Sequence, residues 1–427
     1  MQMEFSIDYA RDMDAKDPIG FFRDRFLIPE REGKPLAYFL GNSLGLQPKT
    51  ANDSIQEILQ QWQQFGVEGF FEGKKPWLQY HETLTPLLSK IVGAKTAEVV
   101  VMNQLSVNLH LLLFSFYRPE GQRNKIICEA KAFPSDQYIF ETQARHYGLD
   151  PDQVIVEVGP RPGTNYIATE DILQAIEANK DELALVLFSG INYYTGQVFD
   201  MPAIVKTAHA AGAYAGFDLA HAAGNIPLSL HDWNVDFACW CSYKYLNSGP
   251  GAIGGVFIHE RHHQQPSIPR LAGWWGYDAA TRFKMEKGFV PDTGANGWQL
   301  STPSLLLYAT HKASLDLFEE AGVPALQQKR VQLTAYLWFI LDTVQERCGE
   351  GLFSLITPRP SHEHGSQVSL LMKKEGRKVY EALMQKGFMV DWREPDVIRL
   401  APVPFYNTFV EVYSFGKALE EIFSTIK

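Results

Sequence analysis

Two residues of this sequence stand where chemistry is done, Lys244 and Asp218, each at the end of an apolar run. Val235 to Cys241 has the length and the Phe, Trp and Cys content of a buried strand, and it stops at Ser242-Tyr243-Lys244-Tyr245. A second apolar run, Ala213 to Phe217, ends in Asp218, 26 residues before the lysine, with His221 three positions on. An unpaired ammonium is costly to bury, so a strand-end lysine ordinarily packs its stem and lets its head reach water. The chemical alternative is a Schiff-base lysine, whose amine is made nucleophilic by partial desolvation.

The aspartate favours the chemical use. Pyridoxal 5'-phosphate enzymes need a lysine to hold the aldehyde as an imine and a carboxylate at the pyridinium nitrogen to keep the ring protonated. Lys244 and Asp218 match those two needs.

The elements that must position them alternate along the chain. Strands are expected at Glu98 to Met102, Lys125 to Glu129, Val154 to Val158, Leu183 to Ser189, Ala213 to Phe217, Asp236 to Cys241 and Gly255 to His259. Helices are expected at Gln104 to Tyr117, Ser135 to Tyr147, Thr169 to Ala178 and Pro202 to Ala211, which is the pattern of a mainly parallel sheet. In such a sheet the ligand lies at the carboxyl ends of the strands. The first end carries Asn103-Gln-Leu105-Ser106, opening a helix whose free N–H groups and positive dipole end suit a phosphate, though an ordinary capped helix start reads the same way. The second carries Phe133-Pro134-Ser135-Asp136, where the ring can stack on a pyridine and the Ser/Asp pair can cap the next helix. The fourth carries Ser189. Gly249-Pro-Gly251-Ala-Ile-Gly254 matches the dinucleotide fingerprint in letters only, because a strand and not a helix follows it.

Outside this region, Asn42 and Ser43 serve turn chemistry or face a ligand, and the loop from Gly66 to Trp77 mixes glycines with Phe70, Phe71 and Trp77, which pin the loop or meet a planar aryl group. Beyond Pro303 long helices and short strands read as an α+β domain, with Arg399 on an apolar strand before a Pro-rich turn. Such an arginine is paired with a structural carboxylate or receives a substrate carboxylate. His259, His262 and His263, and His362 and His364, read as solvated loop histidines with no accompanying cysteines or carboxylates, so no metal is expected.

The chain's 427 residues carry a net charge of −10, which argues against nucleic acid and anionic membrane and for a small-molecule substrate. No stretch has 18 uninterrupted apolar residues, and the acidic N-terminus lacks the features of a signal peptide. Four scattered cysteines form no framework, which suggests a reducing cytoplasm.

Tyr38-Phe-Leu-Gly-Asn-Ser-Leu-Gly, Phe133-Pro-Ser-Asp-Gln-Tyr, Tyr194-Thr-Gly-Gln, Phe217-Asp-Leu-Ala-His-Ala-Ala-Gly-Asn, Cys241-Ser-Tyr-Lys-Tyr-Leu-Asn, Gly273-Trp-Trp-Gly, Thr281-Arg-Phe and Ile398-Arg-Leu-Ala-Pro-Val-Pro-Phe-Tyr-Asn together resemble kynureninase, in order and over nearly the whole chain. The resemblance implies fold type I of the pyridoxal phosphate-dependent transferases. That is an α/β class with a mainly parallel seven-stranded sheet sandwiched by helices and a smaller α+β C-terminal domain. The expected divisions are an N-terminal segment, 1–49, packing with the small domain, a large cofactor domain, 50–302, and the small domain, 303–427. The implied reaction is hydrolysis of L-kynurenine to anthranilate and L-alanine, in tryptophan breakdown or NAD synthesis.

The same resemblance implies residue roles. Lys244 carries the cofactor, Asp218 partners the pyridinium and Phe133 stacks on the ring; Leu105 and Ser106 hold the phosphate, Tyr243 binds phosphate and moves protons, and His221 and Ser189 flank the ring. Arg399 clamps the substrate carboxylate. Trp274 and Thr302 resemble residues reaching the cofactor of a neighbouring subunit, which implies a homodimer with its active sites at the interface. Phe70 and Thr302 stand where members preferring 3-hydroxykynurenine carry His and Asn, so the unsubstituted ring is the expected substrate unless Ser301 or Tyr277 reaches the extra hydroxyl. A cysteine desulfurase relative needs a reactive cysteine on a mobile loop, and a non-catalytic relative would have lost the lysine or the aspartate.

Overall fold

A computed structural model describes residues 3–425. The chain divides into two compact units. One holds Ala51–Ile191 and Phe199–Asp316; the other holds the rest, including Asn192–Val198.

The first unit is built on seven strands: β1 (Val99–Val101), β2 (Lys125–Glu129), β3 (Ile155–Val158), β4 (Leu183–Ser189), β5 (Tyr214–Asp218), β6 (Phe237–Trp240) and β7 (Gly255–Ile258). Their order across the sheet is β1-β7-β6-β5-β4-β2-β3. Only β7 runs against its neighbours; the other pairs are parallel. Strands covered on both faces read as unbroken apolar runs, and β6 and β7 are buried at every position. Helices Leu105–Phe116, Pro134–His146, Thr169–Ala178 and Met201–Ala210 make the crossovers. All these elements match expectation to within one residue at each end. The Gly-rich stretch runs into β7 as expected. Packing explains its last glycine, since a side-chain carbon on Gly255 would lie 2.3 Å from the Trp240 indole.

In the other unit, Phe353–Leu355, Val368–Met372, Val397–Leu400 and Asp391–Arg393 form a four-stranded antiparallel sheet. Its core is shared with helices Val323–Cys348 and Phe409–Thr425. The N-terminal segment is woven into this unit. Ala37–Tyr38 pairs in parallel with Phe388–Met389, the Asp14 carboxylate accepts the N–H groups of Phe409 and Val410 at 2.7 and 3.0 Å, and Lys329 meets Asp17 in a buried ion pair of 2.7 Å. The division falls at residue 316, inside the Leu305–Ala321 helix, and not at 302. The first half of that helix belongs with the seven-stranded sheet, where the Tyr308 hydroxyl donates to the Val101 carbonyl at 2.6 Å.

Two further expectations need correction. His259, His262 and His364 are buried rather than solvated, because carboxylates distant in sequence meet two of them: Glu98 lies beside His259, and Asp236 beside His262 at 2.8 Å. His362 does stay exposed. Ser135 and Asp136 do not cap the Pro134–His146 helix, which starts at Phe133 without a side-chain cap; Asp136 is turned inward instead.

Candidate active site

Asp218 ends β5, in register with Cys239 of β6. After β6 the chain turns sharply, with the Asn247 N–H donating to the Lys244 carbonyl at 3.0 Å and the Ser248 N–H to the Ser242 carbonyl at 3.1 Å. This turn sets the Lys244 ammonium 3.0 Å from His221 Nε2, 5.8 Å from the Phe133 ring centroid and 5.9 Å from that of Tyr243. Phe133, the residue before the Pro134–His146 helix, is 39% exposed, an open aromatic face beside an amine.

Three carboxyl groups are buried here. Asp218 accepts the Ala220 N–H at 2.7 Å and is hydrogen-bonded to Asp136. Glu129, the last residue of β2, accepts the Ser189 N–H at 2.8 Å and the Ser189 hydroxyl. Burial pushes all three carboxyls above their ordinary range, Glu129 to about 7. The charge of Asp218 raises the other two further, while Lys244 pulls Asp218 and Asp136 back down. The site therefore holds more buried acid than one lysine balances. Burial also raises the Tyr243 phenol, assisted by Cys241, so it stays protonated.

At the end of β1 the Leu105–Phe116 helix begins at Gln104 with no side-chain cap, so the first-turn N–H groups of Leu105 and Ser106 are offered to an anion. Beside it Asn103, Gln104, Ser301 and Thr302 line a cavity of ≈ 190 Å³.

This donor set fits pyridoxal 5'-phosphate. An aldehyde meets an amine, a protonated pyridine supplies the positive charge the acids lack, a flat ring finds an aromatic face, and a phosphate finds an uncapped helix start.

Arg399 lies in the other unit. It is 1% exposed and ion-paired with Asp391, its register partner on the adjacent strand, and its Nη1 donates to the Tyr193 carbonyl at 2.6 Å. Asp391 also accepts the Ser43 hydroxyl at 2.8 Å. The guanidinium is thus held by a structural carboxylate. Asn42 is buried, donating to Gln367 Oε1 at 3.1 Å while its own Oδ1 has no partner.

The remaining expected residues are spread along the first unit. Phe70 packs edge-on against Trp77 at 5.2 Å, Tyr277 lies against Phe289, and Trp274 is 45% exposed. Two participants were missed. Glu129 ends an apolar strand just as Asp218 does, so the same signal would have found it. Asp391 gave none, since only strand pairing sets it opposite Arg399.

Residues 326–419 match the kynureninase C-terminal domain family. Kynureninase of Flavobacterium psychrophilum is 52% identical over 421 residues, covering 99% of both chains, and that of Myxococcus xanthus is 51% identical over 98% of this chain and 97% of its own. Among solved structures, a cysteine desulfurase from Thermococcus onnurineus NA1 superposes with a TM-score of 0.74 at 18% identity, covering 97% of this chain and 98% of its own. The cystine C-S lyase C-DES in complex with cysteine persulfide gives 0.75 at 18% identity, over 90% and 97%. At such identities these structures establish the fold alone.

Proposed function

The chain belongs to the kynureninase family, and from that premise and the geometry of its site we propose how it works. It is a pyridoxal 5'-phosphate-dependent hydrolase that cleaves the β–γ carbon–carbon bond of L-kynurenine to give anthranilate and L-alanine. The observation that carries the reading is the Lys244–His221 pair at 3.0 Å beside three buried acids and an open aromatic ring.

Lys244 would hold the cofactor through its amine and Asp218 through the pyridine nitrogen, with Asp136 behind it. Phe133 and Pro134 would back one ring face, Ser189 and His221 would flank the ring, and Leu105, Ser106, Ser135 and Tyr243 would take the phosphate. When bound, the cofactor supplies an electron sink for the breaking bond. With the cofactor and substrate bound, Lys244 Nζ would take up and return the α-proton, held in place by His221 Nε2 at 3.0 Å. The phenol of Tyr243, kept protonated by burial, would give its proton to the β-carbon as the β–γ bond breaks and recover one from the hydroxyl of the hydrated γ-ketone. Arg399 holds the substrate carboxylate, and Asp391 fixes the plane of its guanidinium. Asn42, Phe70, Tyr277, Ser301 and Thr302 shape the substrate site, and with Phe70 apolar it favours L-kynurenine over 3-hydroxykynurenine.

We further propose a homodimer with active sites at its interface, to which Trp274 and Thr302 contribute. The support is an exposed apolar patch: Trp274 and Phe71 flank Phe283 at 5.7 and 5.9 Å, and Met285, two positions along the chain from Phe283, is exposed as well. Four free cysteines accord with a cytoplasmic enzyme of tryptophan breakdown or NAD synthesis, and no helix among the described residues is long and apolar enough to cross a membrane.

The desulfurase alternative needs a thiolate, and burial pushes the Cys128, Cys239 and Cys241 thiols up instead. Purified protein should be yellow and should turn L-kynurenine into fluorescent anthranilate. A colourless protein that still folds, or sulfide release from cysteine without anthranilate formation, would defeat the reading.

A further inference from the structure

We propose that Glu98, His231 and His259 form a site for a divalent transition-metal ion of the zinc type, at the end of the sheet opposite Lys244. Glu98 stands just before β1, His259 just after the antiparallel β7, and His231 in the loop leading to β6, so three distant stretches converge. Both imidazoles aim Nδ1 at one oxygen, Glu98 Oε1, from 2.9 Å for His231 and 3.7 Å for His259. Their rings stack with centroids 4.9 Å apart. Tetrahedral zinc with ligand bonds of about 2.0–2.2 Å sets neighbouring ligand atoms roughly 3.3–3.5 Å apart. The two observed separations fall on either side of that value.

The carboxylate is already oriented as an outer shell orients a metal ligand. Glu98 is fully buried, with the Glu260 N–H on Oε1 and the Lys95 N–H on Oε2, each at 2.9 Å. A metal-free hydrogen-bond cluster accounts for the His231 contact with Glu98 but puts no hydrogen bond between His259 and Glu98. The Nδ1 of His259 accepts the Arg261 N–H at 3.2 Å, so it carries a lone pair, and that atom faces Glu98 Oε1 beyond hydrogen-bond range. Its other nitrogen, Nε2, is buried without a partner. A cation between these two facing acceptors converts their repulsion into ligation, at the cost of the long Arg261 bond and of the His231 hydrogen bond to Glu98. The cations nearby are already neutralised, Lys95 by Glu260 at 2.6 Å and Arg261 by Asp236 at 2.5 Å. His231, 26% exposed, leaves an entry path and a position for water, and two imidazoles with a carboxylate suit zinc.

The ion would staple the base of the β1–β7 pair without touching the chemistry. Zn²⁺ is titrated into the pyridoxal-phosphate-loaded protein, with metal content measured after gel filtration and melting followed by circular dichroism. The expected result is one tightly bound ion per chain and a higher melting temperature. His231→Gln should keep its fold and its kynurenine turnover while binding Zn²⁺ at least about tenfold more weakly. X-ray absorption of the wild-type zinc complex should show two imidazole nitrogens and needs no variant to fold. Equal affinity in the variant, no binding at micromolar zinc, or a spectrum without imidazole ligands would each overturn the proposal.

Discussion

Replacing Asp218 with Asn should separate stability from activity. Burial raises the Asp218 carboxyl above its ordinary 3.8 despite the pull of Lys244. In the cofactor-free protein the native state therefore holds this proton more tightly than the unfolded chain does. The resulting stability is present in acid and is lost as pH rises through the folded-state value, leaving the ionised carboxylate a cost at neutral pH and above. The cost is shared, because the Asp218 charge also raises Asp136 and Glu129. Asn removes that charge and still accepts the Ala220 N–H, so cofactor-free Asp218→Asn should melt no lower than wild type at pH 8. With the cofactor bound the order should reverse, since the amide cannot hold a pyridinium proton as a carboxylate does. A close opposite charge shifts a pKa by roughly 1–3 units, and each unit is about 1.4 kcal/mol or tenfold, so turnover should fall about ten- to a thousandfold. Paired melting curves with and without cofactor, anthranilate fluorescence and a pH titration of the bound-cofactor absorbance test the cycle. Near-wild-type turnover, or a cofactor-free variant melting well below wild type, would refute the reasoning.

Borohydride reduction of the native enzyme should fix pyridoxal on the peptide carrying Lys244, and peptide mapping that finds another lysine would remove the assignment. Arg399→Lys should lower kcat/KM for kynurenine while leaving the bound-cofactor spectrum unchanged, because lysine cannot reproduce a planar two-pronged contact already aligned by Asp391; loss of the spectrum would make Arg399 structural. Burying an unsatisfied hydroxyl costs about 1–3 kcal/mol. Phe70, packed on Trp77, offers no partner, so kcat/KM should favour L-kynurenine over 3-hydroxykynurenine by about tenfold or more. Side-by-side kinetics showing equal efficiencies would mean that Ser301 or Tyr277 supplies one.

The seven strands and their crossovers were legible because a doubly covered parallel sheet writes its strands as short apolar runs bounded by turns. Lys244 and Asp218 were legible for the same reason, as a charged residue stands out where such a run stops. The sequence carried no comparable mark for partners that meet only through pairing across the chain. Asp391 lies eight positions from Arg399 in sequence, yet antiparallel register puts it on the guanidinium. Glu129 reaches Ser189 because β2 and β4 are sheet neighbours. Asp136 looked like a helix cap until the fold turned it against Asp218. His259 looked solvated because Glu98 is more than a hundred residues away in the chain, and the antiparallel return of β7 beside β1 brings the two together. Local sequence determines which stretches are buried and where each ends. Which charges then share a low-dielectric space depends on strand order and register, and only the tertiary structure decides that.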